Sequence, residues 1–286
     1  MERNFVRYRA IGQRLVTGFL EPEVLLLLDA LNSAQRAKQI SGAVAEIGVH
    51  HGKLFIALRL LQRPDEKAVA IDIFDDQELN IDGSGHGSLD KFVNNVKLWS
   101  SMDDVVLHQG DSTKLEPAKL RELAGGEIRF FSVDGGHTAE IVYSDMNLAE
   151  ATLADGGIVI ADDVFNEQWP GVATGTLRYL EDDVRISGSA GGAKLAPFLI
   201  GFNKVFFAQP DYCAYYRAEV ESAVEGKLRL GTGSSVFSGH DVGLVVPQTA
   251  VDILRRSQTI RSVYHRTYRE MVRGLQAVTG RGGSGR

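Results

Sequence analysis

The sequence predicts an α/β fold with a doubly wound, mostly parallel sheet. Five short apolar segments of strand length alternate with segments whose apolar residues have helical spacing. Glycine or acidic residues stand at the ends of these apolar segments. Fully apolar strands separated by helices are typical of a parallel sheet that helices cover on both faces. The predicted strands are Val44–Val49, Ala68–Ile73, Val105–His108, Ile128–Val133 and Ile158–Ala161.

Helices are predicted before and between these strands. Residues from about 3 to 40 have helical character, and Pro22 suits the first turn of a helix. The helices between the strands are predicted at Leu54–Leu61, Ser88–Leu98, Pro117–Leu123 and Ala139–Leu153. After about residue 186 the alternation stops. The remaining predictions are a flexible Gly188–Gly192, one or two edge strands in Phe198–Ala208, an amphipathic helix over about 248–278 and a disordered tail, Gly280–Arg286.

These patterns divide the chain into three predicted parts. Residues 1–40 form an N-terminal helical segment, residues 41–210 form the main α/β domain, and residues 211–286 form a C-terminal helical extension. The terminal parts are open to two interpretations, a lid over the main domain or a contact in a homo-oligomer.

Composition excludes several classes of protein. The chain has 286 residues and a net charge of −6, which argues against a nucleic-acid partner because phosphate binding needs a basic surface. The longest apolar run, Val24–Leu28, is too short to span a bilayer, so no membrane partner is predicted. The single cysteine, Cys213, allows no internal disulfide. With no signal-peptide pattern at residues 1–5, we expect a cytoplasmic protein.

A glycine-containing turn follows the first predicted strand and indicates a ligand site. Glu46, Gly48 and Gly52 form the pattern E-x-G-x-x-x-G at this point. Glycine lets a backbone turn sharply, and the free N–H groups of the next helix start point toward a ligand. Asp72 ends the second strand, where a carboxylate can accept hydrogen bonds from ribose hydroxyls. The alternative is structural, with Glu46 capping a backbone group.

Polar residues also end the third, fourth and fifth strands. Asp111 and Ser112 follow the third strand, with a simple turn role as the alternative for Asp111. Carboxylates at neighbouring strand ends repel one another unless they are protonated or bind a cation, and an all-oxygen cluster suits Mg²⁺. The acidic residues at the fourth and fifth strand ends are Asp134, Asp162 and Asp163. Helix capping is the alternative for Asp162, Asp163 and the nearby His137.

The order of these motifs resembles the class I S-adenosylmethionine (SAM)-dependent methyltransferases over roughly residues 40–208. The resemblance implies a Rossmann-like, seven-stranded sheet. It also implies SAM contacts from Glu46, Gly48, Gly52, Asp72 and Asp134, with Asp111 and Ser112 bordering the adenine. The dehydrogenase loop G-x-G-x-x-G is missing from this strand–helix turn.

The spacing of the acidic residues is similar to that of the metal-dependent sugar O-methyltransferases. Asp162 and Asp163 lie 28 and 29 residues after Asp134. The resemblance implies that these three aspartates bind a divalent metal that holds the acceptor hydroxyls. It further implies His137 as general base, since the other position used in that family is Gly136 here.

We therefore expect a SAM-dependent O-methyltransferase that acts on a sugar or similar small polyhydroxy metabolite, with Mg²⁺ as a second cofactor. Metal coordination lowers the pKa of the acceptor hydroxyl, and His137 can then take its proton. Asp134 is the second predicted catalytic residue.

The polar segment Ile73–Asp90 is interpreted as a lid or acceptor loop, with a disordered insertion as its alternative. Trp169 has two interpretations, stacking on a sugar or anchoring its loop. The alternative functions are a metal-independent methyltransferase, a non-catalytic SAM- or nucleotide-binding protein, and a dehydrogenase.

Overall fold

A nine-stranded mixed sheet organises the chain. The computed structural model describes residues 2–181, 195–227 and 229–248. The strands are β1 (Ala43–Ile47), β2 (Ala68–Asp72), β3 (Val105–Gln109), β4 (Ile128–Val133), β5 (Leu153–Ala161), β6 (Ala196–Gly201), β7 (Lys204–Ala208), β8 (Leu230–Phe237) and β9 (His240–Pro247). The helices are α1 (Glu2–Arg7), α2 (Gln13–Leu15), α3 (Val24–Ala37), α4 (Lys53–Leu61), α5 (Leu89–Trp99), α6 (Pro117–Ala124), α7 (Ala139–Thr152), α8 (Pro170–Glu181) and α9 (Pro210–Val224). A π-helical turn, Tyr8–Gly12, joins α1 to α2.

The strand order places a crevice at the centre of the sheet. The order is β3-β2-β1-β4-β5-β7-β6-β9-β8. Strands β1 to β5 are parallel, and β1 pairs with both β2 and β4. The chain runs outward through β2 and β3 and then returns to β4 on the other side of β1. Open α/β sheets bind ligands at such a switch point, outside the carboxyl ends of the strands.

Helices cover the two faces of this sheet and enclose two apolar clusters. One cluster contains Leu28 of α3, Phe55 of α4 and Tyr216 of α9, all buried against strand residues. The other contains Met146 of α7 and Tyr179 of α8. The five parallel strands are buried on both faces except β3 at the sheet edge, which agrees with their continuous apolar sequences.

The predicted α/β class is confirmed, but the predicted strand count of seven is wrong. The described residues contain nine strands, because β8 and β9 form an antiparallel hairpin that joins the sheet through β6. The strands predicted in Phe198–Ala208 are interior rather than edge strands, since β7 lies between β5 and β6. The sequence of β8, LGTGSSVF, carries glycine and serine and is largely exposed, so it lacks the apolar pattern that marks a strand.

The C-terminal extension is accordingly only partly helical. It contains α9 and the β8–β9 hairpin, where the sequence predicted a helical extension. The predicted helix over 248–278, apart from Gln248, lies outside the described residues, as do the predicted tail Gly280–Arg286 and the segment Gly188–Gly192. The domain boundaries at residues 40 and 210 stay predictions. No helix among the described residues is long and apolar enough to cross a membrane.

Candidate functional site

A cavity of about 740 Å³ opens at the carboxyl ends of β1, β2, β4 and β5. We call it the main cavity. Gly52 is treated separately below, which leaves nine predicted site residues. Eight of them belong to strand ends or to the turns after them, and His137 belongs to the loop after β4. All nine line the main cavity: Glu46, Gly48, Asp72, Asp111, Ser112, Asp134, His137, Asp162 and Asp163. Side chains separated by up to 117 positions in the sequence therefore share one space because parallel strands end at the same edge of the sheet.

Glu46 is a buried carboxylate in the cavity wall. It lies near the end of β1, and its Oε2 atom has no hydrogen-bond partner among the described residues. Burial raises the pKa of Glu46 well above its usual value, and the charges of Asp162 and Asp72 add to this effect against the opposing charge of Lys204. A buried acceptor without a partner is costly unless a ligand supplies a donor. This arrangement suits a ligand with N–H groups or a positive charge.

Asp72 is fixed by two backbone hydrogen bonds at the end of β2. Its Oδ2 accepts from the His50 N–H at 2.7 Å, and its Oδ1 accepts from the Phe74 N–H at 2.5 Å. Burial raises the pKa of Asp72, although these two hydrogen bonds oppose the rise. Each carboxylate oxygen can accept more than one hydrogen bond. Asp72 is thus positioned to accept ligand hydroxyls as well.

The two glycines of the first turn differ in their roles. Gly48 has φ +82°, and a Cβ there would lie 1.7 Å from the carbonyl oxygen of Asp134. Glycine is therefore required for the ends of β1 and β4 to approach each other. Gly52 has φ +86°, begins α4 and packs against the Phe92 ring, and it does not line the main cavity. The turn directs Gly52 toward the core, and its predicted ligand contact stays a prediction.

Asp111 has the turn role that the sequence left open. Its Oδ1 accepts from the Thr113 N–H at 2.9 Å and from the Thr113 hydroxyl at 2.6 Å. These bonds cap a 3₁₀ helix of one turn, Ser112–Lys114. Ser112 lines the cavity beside Asp111 and also approaches the buried Asp145 of α7.

Asp134, His137 and Asp163 form a compact group of possible metal ligands. One atom from each side chain lies within 4.8 Å of the others. Burial raises the pKa of Asp134 well above its usual value, and the charge of Asp162 adds to the rise. Asp163 has a left-handed backbone, and its Oδ1 accepts from Asn203 Nδ2 at 2.6 Å. Two carboxylates and an imidazole are a donor set that fits a divalent cation.

Asp162 departs from the predicted ligand set because it has a partner of its own. Its carboxylate Oδ2 accepts from Lys204 Nζ of β7 in a buried ion pair. Burial tends to lower the pKa of Lys204, but the charges of Asp162 and Asp134 outweigh it and raise the pKa. Sequence reasoning missed Lys204. Its signal was a lysine at the start of the apolar strand Lys204–Ala208, since an unpaired lysine is rarely buried.

His137 is held between two carboxylates and an aromatic ring. Its Nδ1 lies 3.1 Å from Asp82 Oδ2 and its Nε2 lies 3.5 Å from Asp163 Oδ2. Burial lowers the pKa of His137, but Asp163 and Asp82 together outweigh it and raise the pKa. The Trp169 ring stacks on the imidazole with centroids 4.4 Å apart. Helix α7 is capped by Thr138, whose hydroxyl accepts from the Ile141 N–H, so His137 is not the capping residue.

The segment predicted as a lid lies over the main cavity in a defined conformation. Asn80 Nδ2 donates to the carbonyl oxygens of Ser84 at 2.6 Å and Gly85 at 3.0 Å, which closes the loop on itself. Gln77, Leu79 and Asn80 line the cavity from this loop. The loop is therefore part of the cavity wall.

Comparison with known proteins assigns the central part of the chain. A family model described as a methyltransferase domain matches residues 45–164, which span β1 to the end of β5. Residues 45–164 therefore carry a methyltransferase domain. The matched residues include Glu46, Asp72, Asp134 and Asp163, so the methyltransferase domain contains the strand ends that form the main cavity. No curated protein matches the chain.

Solved structures similar to this chain include three methyltransferases. The O-methyltransferase NovP shares 15% identity over 65% of this chain and 80% of its own, with a TM-score of 0.49. CalS11, a TDP-rhamnose 3′-O-methyltransferase of calicheamicin biosynthesis, shares 21% identity over 65% and 79%, with a TM-score of 0.43. MycE of the mycinamycin pathway shares 17% identity over 68% of this chain and 50% of its own, with a TM-score of 0.43.

Proposed function

We propose that this methyltransferase moves the methyl group of SAM to a hydroxyl of a sugar or similar small polyhydroxy metabolite. The observation that carries the proposal is the shared cavity. Glu46 and Asp72 lie on its β1–β2 side, and Asp134, His137 and Asp163 lie on its β4–β5 side. A donor and an acceptor that occupy these two sides meet inside one cavity.

The β1–β2 side is the proposed SAM side. Asp72 accepts hydrogen bonds from the ribose hydroxyls, as its fixed carboxylate favours. Glu46, whose Oε2 has no described partner, accepts from a donor of the methionine part. Gly48 and Asp134 border the same part, and Asp111 and Ser112 border the adenine.

The β4–β5 side is the proposed acceptor side. A neutral hydroxyl is a poor nucleophile, so a base must take its proton as the oxygen attacks the methyl carbon. His137 Nε2 faces this side and is the proposed base. The displacement needs no covalent enzyme intermediate, and alignment of the two reactants provides much of the rate.

A divalent cation fits this side of the cavity. Asp134 and Asp163 would hold it, and Asp162 would not, since its carboxylate is paired with Lys204. When bound, such an ion lowers the pKa of an acceptor hydroxyl and orients it. Carboxylate oxygens suit Mg²⁺ and also Mn²⁺, so both ions are worth testing.

The cavity wall supports a polyhydroxy acceptor. Asn80, Asn166 and Gln168 line it with amide groups, which both donate and accept hydrogen bonds. Hydroxyl groups of a sugar need partners of both kinds. Trp169 anchors its loop against His137, so one face of its ring is already covered.

The proposed function is tested by incubating the full chain with SAM and a panel of nucleotide sugars, glycosides and polyols. We expect one methyl group to be added to at least one hydroxylated member, with S-adenosylhomocysteine as the second product. His137→Asn should lower kcat by about 100-fold or more, since general bases contribute roughly 10²–10⁴-fold. Glu167→Gln, an exposed substitution near Trp169, is the matched control and should leave kcat unchanged. SAM binding without transfer to any panel member would instead support a non-catalytic SAM-binding protein.

A second candidate is a metal-independent methyltransferase. The Lys204 ammonium already places a positive charge beside Asp162 and Asp134, which reduces the need for a cation there. Turnover that is unchanged in EDTA would support this candidate. Turnover that stops in EDTA and returns with Mg²⁺ or Mn²⁺ would support the metal-assisted reaction, and Asp163→Asn should then abolish the recovery.

A further inference from the structure

We propose that Asp82 is a positioning residue for His137, which ties the orientation of the base to the seating of the loop between β2 and α5. The inference rests on the proposed function in assigning His137 as the base. Asp82 lies 55 residues before His137, outside every strand-end motif.

Asp82 makes two contacts to the same histidine. Its Oδ2 accepts from the His137 backbone N–H at 2.5 Å and lies 3.1 Å from His137 Nδ1. Its Oδ1 accepts from the Ser84 N–H at 2.9 Å, so both oxygens are fixed. The side chains of Asp82 and His137 are 10% and 12% exposed, which makes these bonds stronger than bonds in water.

Two further contacts help to hold the imidazole. Trp169 stacks on one face, and Asp163 lies 3.5 Å from Nε2. A Cβ on Gly136 would lie 2.6 Å from the Ile141 side chain, so glycine lets the turn before His137 pack closely against α7. The ring is thereby held with Nδ1 toward the loop and Nε2 toward the acceptor side.

The loop that carries Asp82 also forms part of the acceptor wall. Asn80 and Ile81 line the main cavity directly before Asp82, and Ser84 lines it two residues after. When this loop is in place, it forms part of the cavity wall, and its residue Asp82 orients His137. A displaced loop loses both, because Nδ1 and the His137 amide then have no carboxylate partner from this loop.

The proposal is tested with Asp82→Ala, Asp82→Asn and the control Glu78→Ala. Glu78 is an exposed acid of the same loop that does not line the cavity. The first readout is hydrogen exchange of the His137 amide, followed by mass spectrometry on peptides that cover residues 134–141. We expect about tenfold faster exchange or more in Asp82→Ala, since hydrogen bonds to charged groups are worth roughly 1.5–3 kcal/mol. Asp82→Asn keeps an acceptor and should restore most of the protection.

The second readout is kinetic. We expect kcat to fall about 10- to 100-fold in Asp82→Ala, the range for partners that orient an active-site histidine. The KM for SAM should change much less, Asp82→Asn should recover part of kcat, and Glu78→Ala should match the wild type. Thermal unfolding of each variant separates loss of positioning from loss of the fold.

Each outcome bears on a separate claim. Unchanged amide exchange in a folded Asp82→Ala variant would overturn the proposed tie between the loop and His137. Faster exchange with an unchanged kcat would overturn its role in the reaction. If the wild type methylates no hydroxylated acceptor, the proposed function fails, and the exchange experiment alone then decides whether Asp82 holds His137.

Discussion

Lys204 Nζ donates to Asp162 Oδ2 in a buried ion pair in the wall of the main cavity. The side chains of Lys204 and Asp162 are 4% and 9% exposed, and Asp134 and Glu46 lie near enough for their charges to interact with Lys204. Lys204 thus counters the repulsion among three carboxylates that the strand ends bring together. Removal of one partner of a buried ion pair leaves an uncompensated charge, which costs more than replacing both partners with apolar residues.

We therefore predict that Lys204→Met lowers the free energy of unfolding by about 3 kcal/mol or more. Urea denaturation at pH 7.5 measures this, with Lys227→Met as the control. Lys227 is exposed, so its substitution should stay within about 0.5 kcal/mol of the wild type. Equal stability of the two variants would show that Asp162 does not depend on Lys204.

Glu46→Gln should affect stability and SAM binding in opposite directions. Because burial and the charges of Asp162 and Asp72 raise the pKa of Glu46, a neutral amide relieves repulsion and should leave the ligand-free protein equally or more stable. The charged acceptor for SAM is lost, so the Kd should rise by roughly 10- to 100-fold. Calorimetry with SAM and urea denaturation provide the two measurements. An unchanged Kd would remove Glu46 from the SAM site.

The sequence could predict the parts of this site that depend on local patterns. Strand ends in a parallel sheet meet at one edge, so Asp72, Asp134 and Asp163 could be grouped from the apolar runs before them. Lys204 and Asp82 could not, because their contacts to Asp162 and His137 bridge 42 and 55 residues and leave no spacing rule in the sequence. Asp162 is paired with Lys204, whereas the compact group of possible metal ligands contains Asp134, His137 and Asp163.

The strands also differ in how far local sequence patterns could predict them. Strands β1 to β5 were predictable because burial on both faces requires continuous apolar sequence. The β8–β9 hairpin pairs mainly through its backbone at the edge of the sheet, with β8 largely exposed, so its side chains carry little signal. The packing contact of Gly52 could not be predicted for a related reason. A glycine after a strand serves a ligand or a packing contact equally well, and Phe92 comes from the distant α5.

Asp145 should make the stability of the protein depend on pH near neutrality. Burial raises the pKa of Asp145 from 3.8 to about 7, although the Ser112 hydroxyl opposes the rise. Between these two values the native chain holds a proton that the unfolded chain releases, so the free energy of unfolding falls as the pH rises. The fall is at most about 4 kcal/mol, at 1.36 kcal/mol per pKa unit.

Asp145→Asn should remove this part of the pH dependence and stabilise the protein at pH 8 relative to the wild type. Urea denaturation at pH 5 and pH 8 gives the difference for each protein. Glu140→Gln, an exposed substitution on the same helix, should keep the wild-type difference. If Asp145→Asn keeps it too, another group must account for the dependence.

Arg129 and Glu66 form the other buried ion pair whose disruption should be measurable. Arg129 Nε lies 2.9 and 3.0 Å from the two Glu66 oxygens, and its Nη2 donates to the Leu61 carbonyl at 2.9 Å. The Arg129 side chain is fully buried, and burial lowers the pKa of Arg129 to about 10. Arg129 Nη1 also donates to Asn32 Oδ1 at 3.1 Å and to Gln35 Oε1 at 2.9 Å. Glu66 also accepts from the Gly42 and Arg63 backbone N–H groups.

The second positive charge near Glu66 predicts an order for the two single substitutions. Glu66→Gln leaves a fully buried guanidinium without its counter-charge and should lower the free energy of unfolding by about 3–5 kcal/mol. Arg129→Met should destabilise less, because Glu66 keeps its two backbone donors and lies 3.9 Å from the Arg63 guanidinium. Urea denaturation of both, with the exposed Glu127→Gln as control, measures the order. The reverse order would mean that Glu66, and not Arg129, depends on the pair for its burial.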